Sequence, residues 1–399
     1  MEVETAIQLA VIIVLILLIV IGNSSLVISI CITRRLHNPS GYIVLSLAVA
    51  DLLVGMWLLP FSIPAVVSQE WTIGNAMCQV NGFTNHLLSS ASLLGLFVIS
   101  TDRYISIFYP LTYHEHMTTK RAVVVISCAW GYALLTAVLP VIGWSRYTFA
   151  KGIWLCVTDF KNSISFSYFI ILTIYGVPLT MMSVIYYRIF KIAFYHAKAI
   201  EQQACVNRKP NDYQKYPVIN KWLTVVTDVK EDSDRGGMES LHSRKPSFSG
   251  LGSPRPSRLT PVGDFKHADT VGYGSNQPSD RKRSMQIRKE KKKLLIIKKE
   301  IRTGLVLSVI VLIFVLSWSP FAILNLWALH TGKRTSLTSE AIVSRLAYAN
   351  SAINPPLYCL MNKVIRKSMY KLWYKLFKFL RIDGLFRCKK PEDNEVTVY

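Results

Sequence analysis

The sequence predicts an all-α membrane protein, a bundle of seven transmembrane helices followed by a short amphipathic eighth helix. Composition is the first observation, because the 399 residues are 51% hydrophobic and only 18% charged. The second is that the apolar residues form blocks long enough to cross the roughly 30 Å core of a bilayer as helices. These blocks lie near residues 6–31, 42–67, 79–108, 121–143, 164–195, 303–330 and 338–361.

The positions of the basic residues indicate how these helices are oriented, since cytoplasmic loops carry an excess of Lys and Arg. The basic residues that share one side are Arg34, Arg35, Lys120, Arg121, the cluster at 281–302 and the lysines from Lys363 to Lys378. We therefore expect a multi-pass protein of the plasma membrane with an extracellular N-terminus and a cytoplasmic C-terminus. The net charge of +22 is then mostly cytoplasmic. A nucleic-acid partner is disfavoured because the basic residues flank membrane helices.

The first five predicted helices occupy residues 6–195, after an extracellular N-terminus of residues 1–5. The first apolar block is too long for the core of a signal peptide and lacks a basic segment before it. It is therefore interpreted as a signal anchor. Helices six and seven are predicted within residues 296–361.

Residues 196–295 depart from this pattern, because they are rich in Ser, Pro, Gly and charged residues. A segment with so little apolar surface cannot offset its chain entropy by burial. We expect it to be a long disordered loop in the cytoplasm.

The C-terminal segment 362–399 begins with a regular pattern. Between residues 364 and 380, apolar residues recur at spacings of three and four among lysines and arginines, which places them on one face of a helix. We expect this helix to lie on anionic membrane lipids. Cys388 follows it and is either palmitoylated or an unmodified thiol.

Two of the seven cysteines are extracellular in this topology, where oxidation is permitted. Cys78 begins the third block and Cys156 lies in the loop between the fourth and fifth. We expect them to form one disulfide that ties this loop to the third helix. Motifs for zinc binding, phosphate binding or a catalytic nucleophile are not found, so the sequence does not predict an enzyme.

Most of the apolar blocks contain polar, aromatic or proline residues, which serve here as sequence marks. They are Asn23, the run Leu47–Asp51, Asp102-Arg103-Tyr104, Trp130, Pro178, Tyr186, the run Ser317–Pro320, and Asn354-Pro355 with Tyr358. Together these marks resemble the class A (rhodopsin-like) G-protein-coupled receptors. The resemblance covers everything except the long loop and the tail. It implies that a heterotrimeric G protein is a partner, with arrestin and receptor kinases as further candidates.

The resemblance assigns a conformational switch to ten residues. They are Asp102, Arg103, Tyr104, Tyr186, Glu300, Trp318, Pro320, Asn354, Pro355 and Tyr358. In the family, an acid at the position of Glu300 pairs with the arginine in the resting state. Glu300 lies 20 residues before Pro320, about 30 Å along a helix, so it reaches the depth of Arg103. A solvent-exposed pair of little energetic weight is the alternative. Pro320 predicts a kink in the sixth helix.

A sodium ion is the expected allosteric ligand, since Asp51 lies mid-membrane and needs a partner. Four other residues fall at the family positions around this ion, namely Ser92, Asn350, Ser351 and Asn354. Hard cations prefer such oxygen ligands. The alternative is a protonated Asp51 within a hydrogen-bond network. We expect no other cofactor.

The ligand-binding positions differ from those of the best-known subfamilies. Amine receptors place an aspartate where this chain has Asn85, and the isoleucines Ile170, Ile171 and Ile174 replace their serines of the fifth helix. An ordinary biogenic amine is therefore disfavoured. Tyr348 occupies the position of the retinal lysine, which excludes photoreception through a Schiff base.

A match to the adenosine receptors is partial, since Asn325 agrees with them and Thr158 does not. The remaining pocket suits a neutral or weakly polar small molecule, although each residue could instead serve helix packing. Its predicted members are Asn85, His86, Ser89, Phe321, Asn325 and Tyr348, with Trp318 beneath them.

Two functions follow from these observations. The first is a receptor that transmits an extracellular small-molecule signal to heterotrimeric G proteins through Arg103 and Glu300. The second is a constitutively active or non-signalling membrane protein that regulates partners through its long loop. A transporter is less favoured because the helices show no inverted repeat.

Overall fold

The computed structural model describes residues 2–206, 309, 312–333 and 335–379. Within this part, six helices are long and apolar enough to cross a membrane. We label them α1 (Glu2–Ile32), α2 (Pro39–Ser68), α3 (Asn75–Phe108), α4 (Thr119–Val138), α5 (Ile164–Val206) and α6 (Leu312–Thr331). A further helix of 25 residues, α7 (Leu337–Met361), is long enough to cross as well and packs against α1 and α2. The predicted helical membrane fold is confirmed.

Two helices contain wider turns that the sequence does not reveal. In α2 the α-helix Pro39–Leu53 passes into a π turn, Val54–Leu58, before it resumes at Ser62–Ser68. Pro60 lies in the 3₁₀ turn between them, where its missing N–H and its ring disfavour a regular α-helix. In α5 a π turn at Ile171–Gly176 separates Ile164–Ile170 from Val177–Val206.

The end of α5 differs from the boundary expected at residue 195, because the helix continues to Val206. Residues 191–206 are rich in Ala, Lys, Glu and Gln, which are good helix formers. The rest of the predicted disordered loop lies outside the described residues. So do Glu300 and Cys388.

An antiparallel hairpin stands between α4 and α5, where the sequence predicts only a loop. Its strands are β1 (Tyr147–Ala150) and β2 (Leu155–Thr158), with Tyr147 opposite Thr158 and Phe149 opposite Cys156. The hydroxyl of Tyr147 donates to the carbonyl of Ala137 in α4 over 2.7 Å. The predicted disulfide between Cys78 and Cys156 is confirmed, and it fastens β2 to α3.

Buried polar side chains connect the helices of the bundle. Asn23 is fully buried in α1 and donates to the carbonyl of Ser351 in α7 over 3.1 Å. The indole N–H of Trp130 in α4 donates to Ser46 of α2 over 2.9 Å. Asn23 therefore connects α1 to α7, and Trp130 connects α4 to α2.

The last described helix, α8 (Lys363–Phe379), packs against the end of α1. Thr33 and Ser368 share a hydrogen bond of 2.8 Å, and Ile365 is buried beside them. Leu376 is exposed on the same helix, so α8 also offers apolar surface to its surroundings. That this helix lies on lipid stays a prediction.

Candidate functional site

The carboxylate of Asp102 organises a polar cluster near the C-terminal end of α3. Asp102 is buried, and it accepts hydrogen bonds from Ser40 of α2 over 2.8 Å and from Tyr113 over 2.7 Å. Arg103 donates to the same carboxylate through Nε over 3.0 Å, and its Nη2 also contacts both Asp102 and Ser40. The charge of Arg103 is therefore held by its neighbour in sequence and not only by another helix.

Tyr113 enters this cluster from a one-turn helix, Tyr113–His116, that follows α3. Burial and the negative charge of Asp102 raise the pKa of the Tyr113 phenol to about 12. The phenol consequently remains a hydrogen-bond donor at physiological pH. Neither Ser40 nor Tyr113 was a predicted site residue, because single serines and tyrosines outside a motif give no sequence signal.

Tyr104 faces a different direction from its two neighbours in the motif. Its hydroxyl accepts a hydrogen bond of 3.2 Å from Arg188 of α5, and its ring stacks on Phe108 at 4.3 Å between centroids. The three consecutive residues thus reach towards both α2 and α5. This is expected for adjacent positions of a helix, since they point about 100° apart.

Two predicted tyrosines of the switch lie deeper in the bundle. The hydroxyl of Tyr186 in α5 donates to Ser100 of α3 over 3.0 Å. The hydroxyl of Tyr358 in α7 is buried and has no hydrogen-bond partner among the described residues. An unpaired buried hydroxyl costs about 1–3 kcal/mol, so this conformation leaves Tyr358 with a bond to gain elsewhere.

Asp51 accepts hydrogen bonds from three of its four predicted neighbours. Ser92 donates over 2.9 Å, Ser351 over 2.7 Å and the amide of Asn354 over 2.7 Å. Asn350 is buried on the same helix but is not among the donors to Asp51.

The chemistry of this group fits a small cation. The amide oxygen of Asn354 is buried without a hydrogen-bond partner among the described residues, and it could face a cation together with the carboxylate and the two hydroxyls. Such a set of oxygen donors is the kind that hard cations prefer. The donors also satisfy Asp51 by themselves, so both predicted alternatives fit this geometry.

A narrow cavity of about 50 Å³ lies between α3, α5, α6 and α7, beneath the hairpin. The residues that line it include Asn85, His86, Ser89, Ile153, Val157, Thr158, Phe160, Tyr175, Trp318, Phe321, Ser344, Ala347 and Tyr348. Five of the six predicted pocket residues are therefore brought together. Asn325 is not, because its amide donates to the carbonyl of Phe321 in its own helix over 2.8 Å.

Asn85 is the centre of the polar contacts in this cavity. Its amide oxygen accepts from Tyr348 over 3.2 Å and from Ser89 over 3.3 Å, and its amide nitrogen donates to the carbonyl of Cys156 over 3.3 Å. His86 contacts Thr158 of β2 over 3.2 Å. The hairpin is thus bonded to the floor of the cavity as well as covering it.

Within the described residues, two polar atoms of the floor lack hydrogen-bond partners, namely His86 Nε2 and the indole N–H of Trp318. Trp318 packs against Phe321, Tyr175 and Phe314, with ring centroids 5.6–6.2 Å apart. None of the residues that line the cavity is acidic.

Comparison with known proteins decides the family. The profile of the family "7 transmembrane receptor (rhodopsin family)" matches residues 22–358, which include the Asp51, Asp102 and cavity residues. The chain belongs to the rhodopsin-like seven-transmembrane receptors. It is therefore a multi-pass membrane receptor and not an enzyme.

Individual relatives are distant from this receptor. It is 28% identical over 355 residues to the alpha-1A adrenergic receptor of Bos taurus, which covers 89% of this chain and 65% of the relative. It is 27% identical to the 5-hydroxytryptamine receptor 7 of Xenopus laevis, over 88% of this chain and 72% of the relative. G-protein coupled receptor 161 of Mus musculus is 26% identical, over 90% of this chain and 55% of the relative. The chain thus spans about two thirds or less of two of these three relatives.

Proposed function

We propose that this receptor converts the binding of an extracellular small molecule into activation of a heterotrimeric G protein. The observation that carries the proposal is the cluster at the end of α3 in which Asp102 and Ser40 bond to Arg103 while Tyr113 donates to Asp102. An arginine near the membrane boundary is costly unless it is paired, and such residues are candidates for function. Membership of a receptor family supports the same assignment.

The proposed switch has two arrangements of the same polar groups. In the arrangement seen here, Arg103 is bonded to Asp102, Tyr186 to Ser100, and the Tyr358 hydroxyl lacks a partner. Release of Arg103 from Asp102 would allow Arg103 and Tyr186 to form new contacts, and it would offer Tyr358 a partner. The two states then differ by a few charge-assisted hydrogen bonds, an energy that ligand binding can supply.

A biogenic amine is not the ligand that the cavity favours, although two relatives are named as adrenergic and 5-hydroxytryptamine receptors. An ammonium group that leaves water needs a carboxylate, and the lining residues include none. Asn85 occupies the centre of the cavity and is already bonded to Tyr348 and Cys156. We therefore propose a ligand that is not a cation.

We also propose that the Asp51 group binds sodium, supported by the unpartnered amide oxygen of Asn354. The N-terminus is proposed to be extracellular and the C-terminus cytoplasmic, in the plasma membrane. The disulfide supports this orientation, because it places Cys78 and Cys156 on the side where oxidation occurs. The alternative of a non-signalling regulator depends on the third loop, and no contact in the described residues favours it.

Basal second-messenger levels in transfected cells test the proposal. Asp102→Asn weakens the contacts that hold Arg103, so we expect basal signalling to rise, while Arg103→Ala removes the group that is released and lowers it. Asp159→Asn is the matched control, because Asp159 forms the exposed ion pair with Arg146 in the loop between α4 and α5. If Asp102→Asn and Arg103→Ala both signalled like Asp159→Asn at equal surface expression, the proposal would be wrong.

A further inference from the structure

Arg345 of α7 is bonded to two residues that line the cavity, and no carboxylate of the described residues pairs with it. Arg345 donates through Nη1 to the carbonyl of Ile153 over 3.2 Å and to the hydroxyl of Ser344 over 3.0 Å. Both of these acceptors belong to residues that line the cavity. The second terminal nitrogen, Nη2, is buried and has no hydrogen-bond partner in the part of the chain that the structure describes.

The acids near Arg345 in sequence do not neutralise it. In the described parts of the chain the ion pairs are Arg103 with Asp102 and Arg146 with Asp159, and Arg345 forms none. Glu340, five residues earlier on α7, is bonded to Thr335 and lies against Gly152 at the tip of the hairpin. A neutral carbonyl and a hydroxyl compensate a buried guanidinium poorly, because its charge has left water without a counterion.

The chemistry of the missing partner follows from the guanidinium itself. Its planar set of N–H donors matches two oxygens of a carboxylate or phosphate, which it binds in a bidentate manner. Nη2 still has both of its donors to offer, whereas Nη1 is held in place by the hairpin and by Ser344. An oxyanion is therefore the group that completes this site.

The cavity next to Arg345 has walls that suit an apolar body. Val157, Phe160, Phe321 and Ala347 line it, and the polar contacts of Asn85 and Tyr348 lie on its floor. Tyr348 follows Arg345 by three residues, which is about 4.5 Å along the helix axis. A ligand with a charged end at Arg345 and a short apolar chain would thus reach from Arg345 into the cavity.

We propose that Arg345 anchors the carboxylate or phosphate of a small amphiphilic ligand, whose apolar part enters the cavity beneath the hairpin. This inference rests on the proposed function only in taking the cavity as the ligand site. It differs from the neutral ligand that the sequence predicts, because Arg345 carries no motif that would have marked it. The proposed ligand thus carries a negative charge, whereas an amine ligand carries a positively charged ammonium.

Binding of four three-carbon probes to the purified full-length receptor in phosphatidylcholine nanodiscs tests the inference, because the cavity of about 50 Å³ admits only a short apolar chain. Propionate and propyl phosphate carry the two candidate oxyanions, propanol is neutral and propylamine is a cation. The measurement is the unfolding temperature as a function of probe concentration, since a ligand that binds the folded state raises it. Arg345→Gln removes the charge, and Arg146→Gln removes an exposed arginine of the same face as the matched control.

We expect at least one of the two anions to stabilise wild type and Arg146→Gln, with an apparent affinity about ten- to a hundredfold weaker for Arg345→Gln. The responses to propanol and propylamine should be the same for all of these proteins. The anion that stabilises more strongly identifies the oxyanion. Arg345→Lys keeps the charge but not the planar donor set, so its affinity should fall between the two. If Arg345→Gln does not fold, Arg345→Lys is compared with wild type instead.

Equal responses of wild type and the Arg345 variants would overturn the inference, and so would the absence of stabilisation by both anions. Because this readout needs no G protein, it is separate from the signalling test of the proposed function. Anion binding without any effect of Asp102→Asn or Arg103→Ala on signalling would overturn the proposed function and leave the anion site in place.

Discussion

The Tyr113 hydroxyl donates a 2.7 Å hydrogen bond to the same carboxylate of Asp102 that holds Arg103. Tyr113 belongs to the loop after α3, so the conformation of this loop and the state of the arginine are connected through one side chain. A change in this loop therefore alters the contacts of Asp102 that hold Arg103. The contact also makes the cluster larger than the motif at residues 102–104.

Replacing Tyr113 with phenylalanine should raise basal signalling about two- to tenfold, because Asp102 loses a donor and holds Arg103 less firmly. A second-messenger assay at equal surface expression measures the change. Tyr109→Phe is the control, since Tyr109 is an exposed tyrosine of the same loop. A Tyr113→Phe variant with wild-type basal activity would show that this hydrogen bond does not contribute to the switch.

The pH dependence of the same contact follows from the raised pKa of Tyr113, which is about 12 against an ordinary value of 10.0. Because the folded state retains the proton more strongly than the unfolded state, its contribution to stability is complete below pH 10. It declines as the pH rises through 12. We therefore expect the difference in unfolding temperature between wild type and Tyr113→Phe to be constant from about pH 6 to 9. A difference that changed within this range would contradict the assigned protonation.

Glu300→Ala should raise basal signalling as well, if Glu300 pairs with Arg103 in the resting state as the family resemblance implies. Glu300 lies outside the described residues, so this experiment tests the pair directly. Glu115→Ala serves as the control, because Glu115 is an exposed acid in the one-turn helix after α3. Unchanged activity of Glu300→Ala would favour the alternative of a solvent-exposed pair with little energetic weight.

Asp51→Asn should abolish the dependence of signalling on sodium concentration between about 10 and 150 mM, because the carboxylate supplies the negative charge for the ion. Ser92→Ala should weaken this dependence more than Asn350→Ala, since Ser92 donates to Asp51 and Asn350 does not. The same sodium dependence in Asp51→Asn and wild type would favour a protonated Asp51 in a hydrogen-bond network.

Gly82→Ala should destabilise the receptor by about 1–3 kcal/mol. A Cβ at this position would lie 2.6 Å from the side chain of Tyr147, which cannot move freely because its hydroxyl is bonded to Ala137. Gly131→Ala is the matched control in α4, where nothing lies within 4 Å and the substitution should be neutral or stabilising. Thermal unfolding of the purified proteins measures both. An equal effect of the two substitutions would show that the hairpin is not packed closely on α3.

The membrane helices and the disulfide could be predicted because their signals are local. Long apolar blocks specify helices that cross a bilayer, and the topology places Cys78 and Cys156 on one side. The three donors to Asp51 were found in the same way, through motif positions. Five of the six residues that the family resemblance assigns to the pocket line the cavity.

The features that were missed depend on contacts between segments that are distant in the sequence. Ser40 and Asp102 are separated by 62 residues, and nothing about a single serine marks the contact. Strands of four residues are too short for a reliable alternating pattern, so the hairpin was not predicted. Asn325 was assigned to the pocket by position alone, although its amide is bonded within α6. The position of Arg345 against Ile153 likewise appears only once the hairpin is in place.

Guanine-nucleotide exchange on purified heterotrimeric G proteins, catalysed by the receptor in nanodiscs, tests the central claim most directly. A panel of G-protein subtypes should be used with wild type, Asp102→Asn, Arg103→Ala and the control Asp159→Asn. We expect at least one subtype to exchange nucleotide faster with Asp102→Asn than with wild type or Asp159→Asn, and Arg103→Ala to remove the acceleration. Exchange rates that are equal for all four proteins with every subtype would contradict the proposed switch.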